Sequence, residues 1–490
     1  MIVQPPRTSA PATHSEATTT IDELHTIFEA QKAAFRKNMY PSYEERIEDL
    51  KTLEAMLKSC RKGAEEALSE DFRTHPPQLT MLIELLMPLS KSRYIRENLK
   101  KWMKPQPRHF DRVVHGESRN YVMYQPLGVV GNMAAWNAPF MISLGPLLDI
   151  LAAGNRAIIK PSELAPATGK VLKEIVSRSF KADHVAVVTG EVDLAQEFAT
   201  MPWDHLVYTG GQAVGKLVMK AAAENLTPVT LELGGKCSVI IAEDSVNETT
   251  VSAILSNKIM KGGQVCIAPD YVLVPETQKD AFVSLCQEIL PRMLPSYTNH
   301  PQSTGIINER HLDRLLSYLE DAEQKGARLI QLYDLDESVN REDRKPPFTL
   351  ILDLHDEMEA MRNEIFGPIL PVLTYNALND AISYINAHER PLALYFYTKN
   401  KKQAKDLLMR TISGGACINS MCTQVMIPSL PFGGVGYSGM GRYGGFEGFQ
   451  TFSNQRSIFE MGKGILPEDT FYPPYGETLD GLLNFAFMRE

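Results

Sequence analysis

Cysteine is scarce, with six in 490 residues at positions 60, 237, 266, 286, 417 and 422. None forms a C-x-x-C pair, and the Cys417/Cys422 and His109/His115 pairs lie far apart in the chain. A disulfide scaffold is therefore excluded and no metal site is expected, which fits a reducing, cytoplasmic setting. Excess positive charge is also missing: 50 Lys and Arg stand against 59 Asp and Glu, a net charge of −9. Nucleic acid and anionic membrane surfaces are not expected as partners, because both require basic patches. No apolar run reaches the roughly 18 residues of a membrane-spanning helix. Residues 1–20, rich in Ser, Thr, Ala and Pro, lack the apolar stretch of a secretory signal. A disordered tail is expected there, with a weak organellar presequence as the alternative. Internal repeats are absent.

What is present is an alternation of helical and strand-like runs. Ile21, Leu24, Ile27, Phe28 and Phe35 fall near helical spacing, as do Ile47, Leu50, Leu53, Leu57 and Cys60. Residues 113–124 alternate in the manner of an extended ribbon. From about residue 126, apolar runs at 127–131, 157–160, 185–189 and 206–209 alternate with helical stretches at 139–151, 167–180 and 212–225. Such alternation predicts a parallel sheet with helices on both faces and ligands at the carboxyl ends of its strands, after Lys160 and Thr209. A second α/β segment begins near Thr230, with strands at 239–241, 271–274, 369–373 and 392–397. Helices are expected at 278–290, 309–325 and 378–387, a surface loop at 334–347, and a Pro- and Gly-punctuated tail after Phe459.

Two segments, Gly434–Gly439 and Gly439–Gly444, fit G-x-G-x-x-G. Prolines precede them and no strand leads in, so close backbone packing, or a loop over an active-site mouth, is the better reading. Thr209-Gly210-Gly211 with Gly215 passes from a strand into a helix, where glycines either let a pyrophosphate approach backbone N–H groups or simply make an ordinary βα turn. Lys160 and Glu163, after another strand, suit ribose hydroxyls or a simple capped turn. An acid beside a ribose favours NAD over NADP, since it repels a 2′-phosphate.

Gly263-Gln264-Val265-Cys266 offers a candidate thiol nucleophile, or a buried structural thiol. Glu232 stands between two leucines and before two glycines. It is either a base whose pKa desolvation raises toward a useful value or a strand acid with one side in water. Asn137, beside Trp136, is either an oxyanion donor or a cap for the helix beginning at Pro139.

Together these pieces resemble the aldehyde dehydrogenase superfamily. The matching segments are Trp136-Asn137 with Pro139, Lys160-Pro161-Ser162-Glu163, Thr209-Gly210 with Gly215, Glu232-Leu233-Gly234-Gly235-Lys236, Gly263-Gln264-Val265-Cys266, Glu364-Ile365-Phe366-Gly367-Pro368 and Leu430-Pro431-Phe432-Gly433-Gly434. They occur in family order. Residues 268–274, 306–311 and 411–415 are most similar to the dimer-forming branch that includes coniferyl aldehyde dehydrogenases.

The resemblance implies an α/β fold with a Rossmann-type cofactor domain (21–108 and 126–229), an α/β catalytic domain (230–415) and a small β-ribbon (109–125 and 416–460) that joins two subunits. Tails at 1–20 and 461–490 flank them. It implies Cys266 as nucleophile, Asn137 and the Cys266 N–H as the oxyanion site, and Glu232 as base for the hydrolytic water. Lys160 and Glu163 would hold the adenosine ribose of NAD, with NADP as the alternative. Thr209, Gly210 and Gly215 would lie along the cofactor, Glu364 would hold the nicotinamide ribose, and Phe366 would pack beside the nicotinamide. The implied reaction is oxidation of an aromatic, cinnamyl-like or medium-chain aldehyde to the acid, coniferyl aldehyde to ferulate among them. A CoA-acylating dehydrogenase is the alternative enzyme, which Glu232 argues against. A non-catalytic structural protein on the same fold is the other, which joint retention of Cys266, Glu232 and Asn137 argues against.

Two departures from the family pattern stand near the motifs. Lys261 and Gly262 replace the usual Asn and small residue before Gly-Gln-x-Cys, and Cys237-Ser238 replaces Ser-Pro after Gly-Gly-Lys. Lys261 either lowers the pKa of Cys266 or points away from it.

Overall fold

A computed structural model describes residues 18–110, 112–333, 337–463 and 468–488. Most of the expected tail lies outside the described residues, but Thr19 and Thr20 belong to the folded body. The Thr19 N–H donates to the Thr189 carbonyl at 2.7 Å. Thr20 and Glu23 form a reciprocal cap that starts the helix Ile21–Lys37.

Five parallel strands make up most of a first sheet, in the order Val229–Leu233, His205–Gly210, Val129–Met133, Arg156–Lys160 and Val185–Val187. The chain starts at the central strand, builds outward on one side, and returns to build on the other. The resulting switch point places a crevice beyond the carboxyl ends of Val129–Met133 and His205–Gly210. All five residues of Val129–Met133 are buried, as expected of a strand covered on both faces.

The second sheet runs Arg328–Gln331, Thr349–Leu352, Ile369–Tyr375, Tyr271–Pro275, Ser238–Ile241, Ala393–Tyr397 and Gly415–Ile418. Only the first pairing is antiparallel. The third sheet is an antiparallel ribbon of Gln106–Pro107, Arg119–Pro126 and Ser453–Glu460.

Several boundaries differ from the sequence reading. Val229–Leu233 pairs along His205–Gly210, so a cut at residue 230 falls inside a strand of the first sheet. Of 416–460, only Ser453–Glu460 forms the ribbon; Gly415–Ile418 extends the second sheet and Gly439–Met440 pairs antiparallel with the edge of the first. Arg112–His115 is a helical turn, and the ribbon strand begins at Arg119. The tail after Phe459 contains the helix Glu477–Phe487. Apart from that helix, these are long-range pairings or short turns, which local periodicity does not encode. Of the expected loop 334–347, residues 334–336 lie outside the described residues, and Asn340 bridges to Lys345.

Candidate active site

The cleft lies between the carboxyl ends of the first sheet and the amino ends of the second. One wall comes from the turn after Val129–Met133 and from the ends of His205–Gly210 and Val229–Leu233. Opposite stand the segments leading into Tyr271–Pro275, Ile369–Tyr375 and Ala393–Tyr397, which supply Cys266, Glu364 with Phe366, and Leu392. The cavity of this cleft is about 250 Å³.

Asn137 is buried, and its Nδ2 donates to the Gln264 carbonyl at 3.1 Å. It does not cap the following helix, whose N-cap position is Ala138. A side-chain amide has two N–H groups, so one remains beyond the bond to Gln264. Cys266 lies two residues past Gln264 and is partly exposed to the cleft. Burial pushes its thiol above the ordinary range, and the neighbouring Glu364 and Glu232 carboxylates add to the rise. The Cys237 thiol, fully buried, donates to the Cys266 carbonyl at 3.2 Å and thus braces the backbone of this loop.

Glu232 is 2% exposed. Neither of its carboxylate oxygens has a hydrogen-bond partner among the described residues. Burial raises its pKa well above the usual carboxylate value, opposed in part by Arg442. An unpartnered buried carboxyl costs folding stability.

Glu364 is pushed up to about 8, mainly by burial and then by Asp270, against the Gly235 N–H and the charges of Lys236 and Arg314. Its carboxylate occupies the space a side chain at position 234 would need: a Cβ on Gly234 would sit 1.9 Å from Oε2. Phe366, at φ +51°, packs edge-on to Trp136 with ring centroids 5.3 Å apart.

The cleft brings together Asn137, Thr209, Gly210, Glu232, Cys266, Glu364 and Phe366. Lys160, Glu163 and Gly215 are not in its lining. Lys160 is buried and pairs with Glu163 at 3.5 Å, beside the end of the strand next to Val129–Met133. Gly215 serves packing: a Cβ there would fall 2.6 Å from Leu233 Cδ2, so the glycine lets its helix lie close on the sheet. Among the described residues no cluster of three or more His, Cys, Asp or Glu is placed to hold a metal.

Sequence reasoning did not single out His311, Arg314 or Tyr443, which also line the cleft. The His311 ring lies 5.3 Å from that of Trp136. Burial pushes His311 down to about 4, helped by Arg314 and Arg310. Tyr443 sits inside the second glycine run, whose spacing draws attention to the backbone rather than the ring. The glycines there are packing positions: a Cβ on Gly434 would meet the Ser438 carbonyl at 1.9 Å. Lys261 points away from Cys266, its Nζ 2.5 Å from Glu84.

A family profile described as "Aldehyde dehydrogenase family" matches residues 2–458. A probable coniferyl aldehyde dehydrogenase of Pseudomonas aeruginosa is 43% identical over 469 residues, covering 96% of this chain and 97% of that protein. The substrate-bound structure of Staphylococcus aureus AldH superposes with a TM-score of 0.88 at 32% identity, covering 94% of this chain and 99% of the other. An NAD+ complex of a Mycobacterium tuberculosis aldehyde dehydrogenase gives 0.81 at 25% identity, with 92% of each chain covered. Sequence similarity and fold thus agree along nearly the whole length, and the chain belongs to the aldehyde dehydrogenase family as an NAD(P)-dependent aldehyde dehydrogenase.

Proposed function

We propose that the protein oxidises aromatic, cinnamyl-like aldehydes to their acids with NAD, coniferyl aldehyde to ferulate among them. The observation that carries this reading is the meeting of Cys266, Asn137 and Glu232 in one cleft walled by Trp136, Phe366, Phe432 and Tyr443. Aromatic walls suit a flat, conjugated aldehyde. The name of the Pseudomonas aeruginosa relative supports the same substrate class.

The residues present fit a dinucleotide. Thr209 Oγ1 is buried without a partner among the described residues, at a strand end followed by Gly210 and Gly211. Lys160 and Glu163 would hold the adenosine ribose, and Glu364 the nicotinamide ribose, with Phe366 beside the ring. The bound nicotinamide supplies the hydride acceptor. Glu163 favours NAD by repelling a 2′-phosphate, and its pairing with Lys160 orients the carboxylate.

The Cys266 thiolate, formed when the thiol proton passes to water, adds to the aldehyde carbon. The oxyanion that forms is held by the free Asn137 N–H and the Cys266 backbone N–H. Collapse of the oxyanion reforms the carbonyl and expels hydride, leaving a thioester on Cys266. Glu232 takes a proton from water as that water adds to the thioester, and the acid leaves with the Cys266 thiolate restored. The free thiols suit a reducing compartment such as the cytoplasm.

The test is NADH formation by purified protein with acetaldehyde, hexanal, benzaldehyde and coniferyl aldehyde, each with NAD and with NADP. Fastest turnover of the aromatic members with NAD is expected. Turnover of aliphatic aldehydes alone would overturn the substrate class, and faster turnover with NADP the cofactor preference.

A further inference from the structure

The loop before Cys266 is wound through three consecutive left-handed residues: Lys261 (φ 51°), Gly262 (φ 64°) and Gly263 (φ 74°). The glycines are required. A Cβ would fall 2.8 Å from the Thr304 carbonyl at Gly262 and 2.3 Å from the Gly367 carbonyl at Gly263. Lysine has no such freedom, and its left-handed backbone costs energy that other contacts must offset.

Those contacts are specific. Lys261 is fully buried, its Nζ lies 2.5 Å from Glu84 Oε1, and the ammonium stands 5.2 Å from the Phe72 ring centroid. Glu84 is also fully buried, on a π-helical turn over Thr80–Leu86. Its other oxygen accepts the backbone N–H groups of Phe140 and Met141, each at 3.1 Å. Those amides lie in the first turn of the helix Pro139–Ala153, which Ala138 alone separates from Asn137. Asn137 in turn donates to the Gln264 carbonyl, while Gln264 donates through its backbone N–H and its Nε2 to the Lys261 carbonyl at 3.2 and 2.9 Å. The contacts close a ring: Lys261, Glu84, the helix start, Asn137, Gln264, and back to Lys261. Neither charged group lines the cleft.

We propose that Lys261 and Glu84 are positioning residues, a buried ion pair that sets the distance between the Asn137 amide and the Cys266 backbone N–H. The inference rests on the oxyanion roles proposed above for those two donors. Glu84 fixes the helix start by charge-assisted bonds to two amides, and Lys261 ties that carboxylate to the nucleophile loop. The pair acts on the oxyanion site only through Asn137 and the loop, so its loss acts on kcat rather than on substrate binding.

The experiment is a double-mutant cycle in the full chain with Glu84→Gln, Asn137→Ala and their combination. It records kcat, aldehyde KM, the rate of Cys266 alkylation by iodoacetamide and the thermal midpoint. Glu84→Gln is expected to lower kcat on the order of ten- to a hundredfold, the scale of a misplaced catalytic group, with KM and alkylation rate nearly unchanged. Adding Glu84→Gln to Asn137→Ala is expected to cost clearly less than Glu84→Gln costs alone, because both disturb one pair of donors. Additive losses, or an unchanged kcat in Glu84→Gln, would overturn the inference. An unchanged kcat in Asn137→Ala would instead overturn the proposed role of Asn137, and the inference with it. If Glu84→Gln fails to fold, Lys261→Met/Glu84→Gln, which leaves no bare charge, takes its place in the cycle.

Discussion

A carboxyl held between two leucines, without a hydrogen-bond partner among the described residues, is harder to ionise than one in water. Glu232 has that position, and its raised pKa has a direct consequence for pH dependence. The group serves as a base only when ionised. Turnover limited by thioester hydrolysis is therefore expected to climb with pH along a limb lying above the ordinary carboxylate value of 4.5. In Glu232→Gln the limb should vanish. That variant is expected to release one burst of NADH per site and then slow by about 10²–10⁴-fold, the usual contribution of a positioned base; rapid-mixing fluorescence reads both phases. Steady turnover equal to that of the unaltered protein would refute the assignment.

Cys266 carries a matching prediction. Its thiol is raised above the ordinary value of 9.0 by burial first, then by Glu364 and Glu232. Alkylation by iodoacetamide in the absence of cofactor should accelerate as pH rises through 9 and beyond, because only the thiolate reacts. Cys266→Ala should abolish NADH formation and leave the thermal midpoint nearly unchanged. At this scale the sequence marks Glu232 and Cys266 by the glycines near them and Asn137 by the turn before Pro139. It leaves the lysine beside the nucleophile open. Its direction depends on Glu84, 177 residues away.

The elements that present these residues are short segments at strand ends, and glycine decides how closely they approach. Gly234 is the clearest case, since a side chain there would overlap the Glu364 carboxylate. Gly234→Ala is expected to displace Glu364 and raise the KM for NAD by about tenfold, the equivalent of one lost hydrogen bond to a charged group. Far-UV circular dichroism should not change. A KM for NAD within error of the parent would show that Glu364 does not hold the cofactor. The helices and inner parallel strands follow from hydrophobic period, and the reading places Leu378–Ala387 as the structure does. The two-residue strand Gly439–Met440 and the helical turn Arg112–His115 have no such signal, being too short to show a period.

Across the whole molecule, the site exists because two sheets face each other with opposite polarity, carboxyl strand ends against amino strand ends. Glu232 belongs to the first sheet and Cys266 to a loop entering the second, so neither sheet alone holds both. The ribbon is a separately hydrogen-bonded sheet, with Ser453–Glu460 as an outer strand. Seven of its eight residues are exposed or partly exposed. An outer strand of this length invites pairing, and a second copy of this chain is the partner we propose. Sedimentation equilibrium is expected to return twice the chain mass. A single-chain mass at micromolar concentration would refute the dimer.

Some properties of this protein are written locally. Apolar spacing sets where helices and inner strands form, and the turn carrying Asn137 and the glycine-flanked Glu232 and Cys266 segments mark candidate chemistry. Both are properties of a few adjacent residues, so one chain displays them without being folded. Other properties arise only when distant segments meet. Folding leaves both Glu232 oxygens without partners, turns Lys261 onto Glu84, and returns Gly439–Met440 to the edge of the first sheet. Burial and charge pairing depend on which surfaces close over a group, and that closure is set by the packing of the two sheets rather than by the neighbours of any residue in the chain.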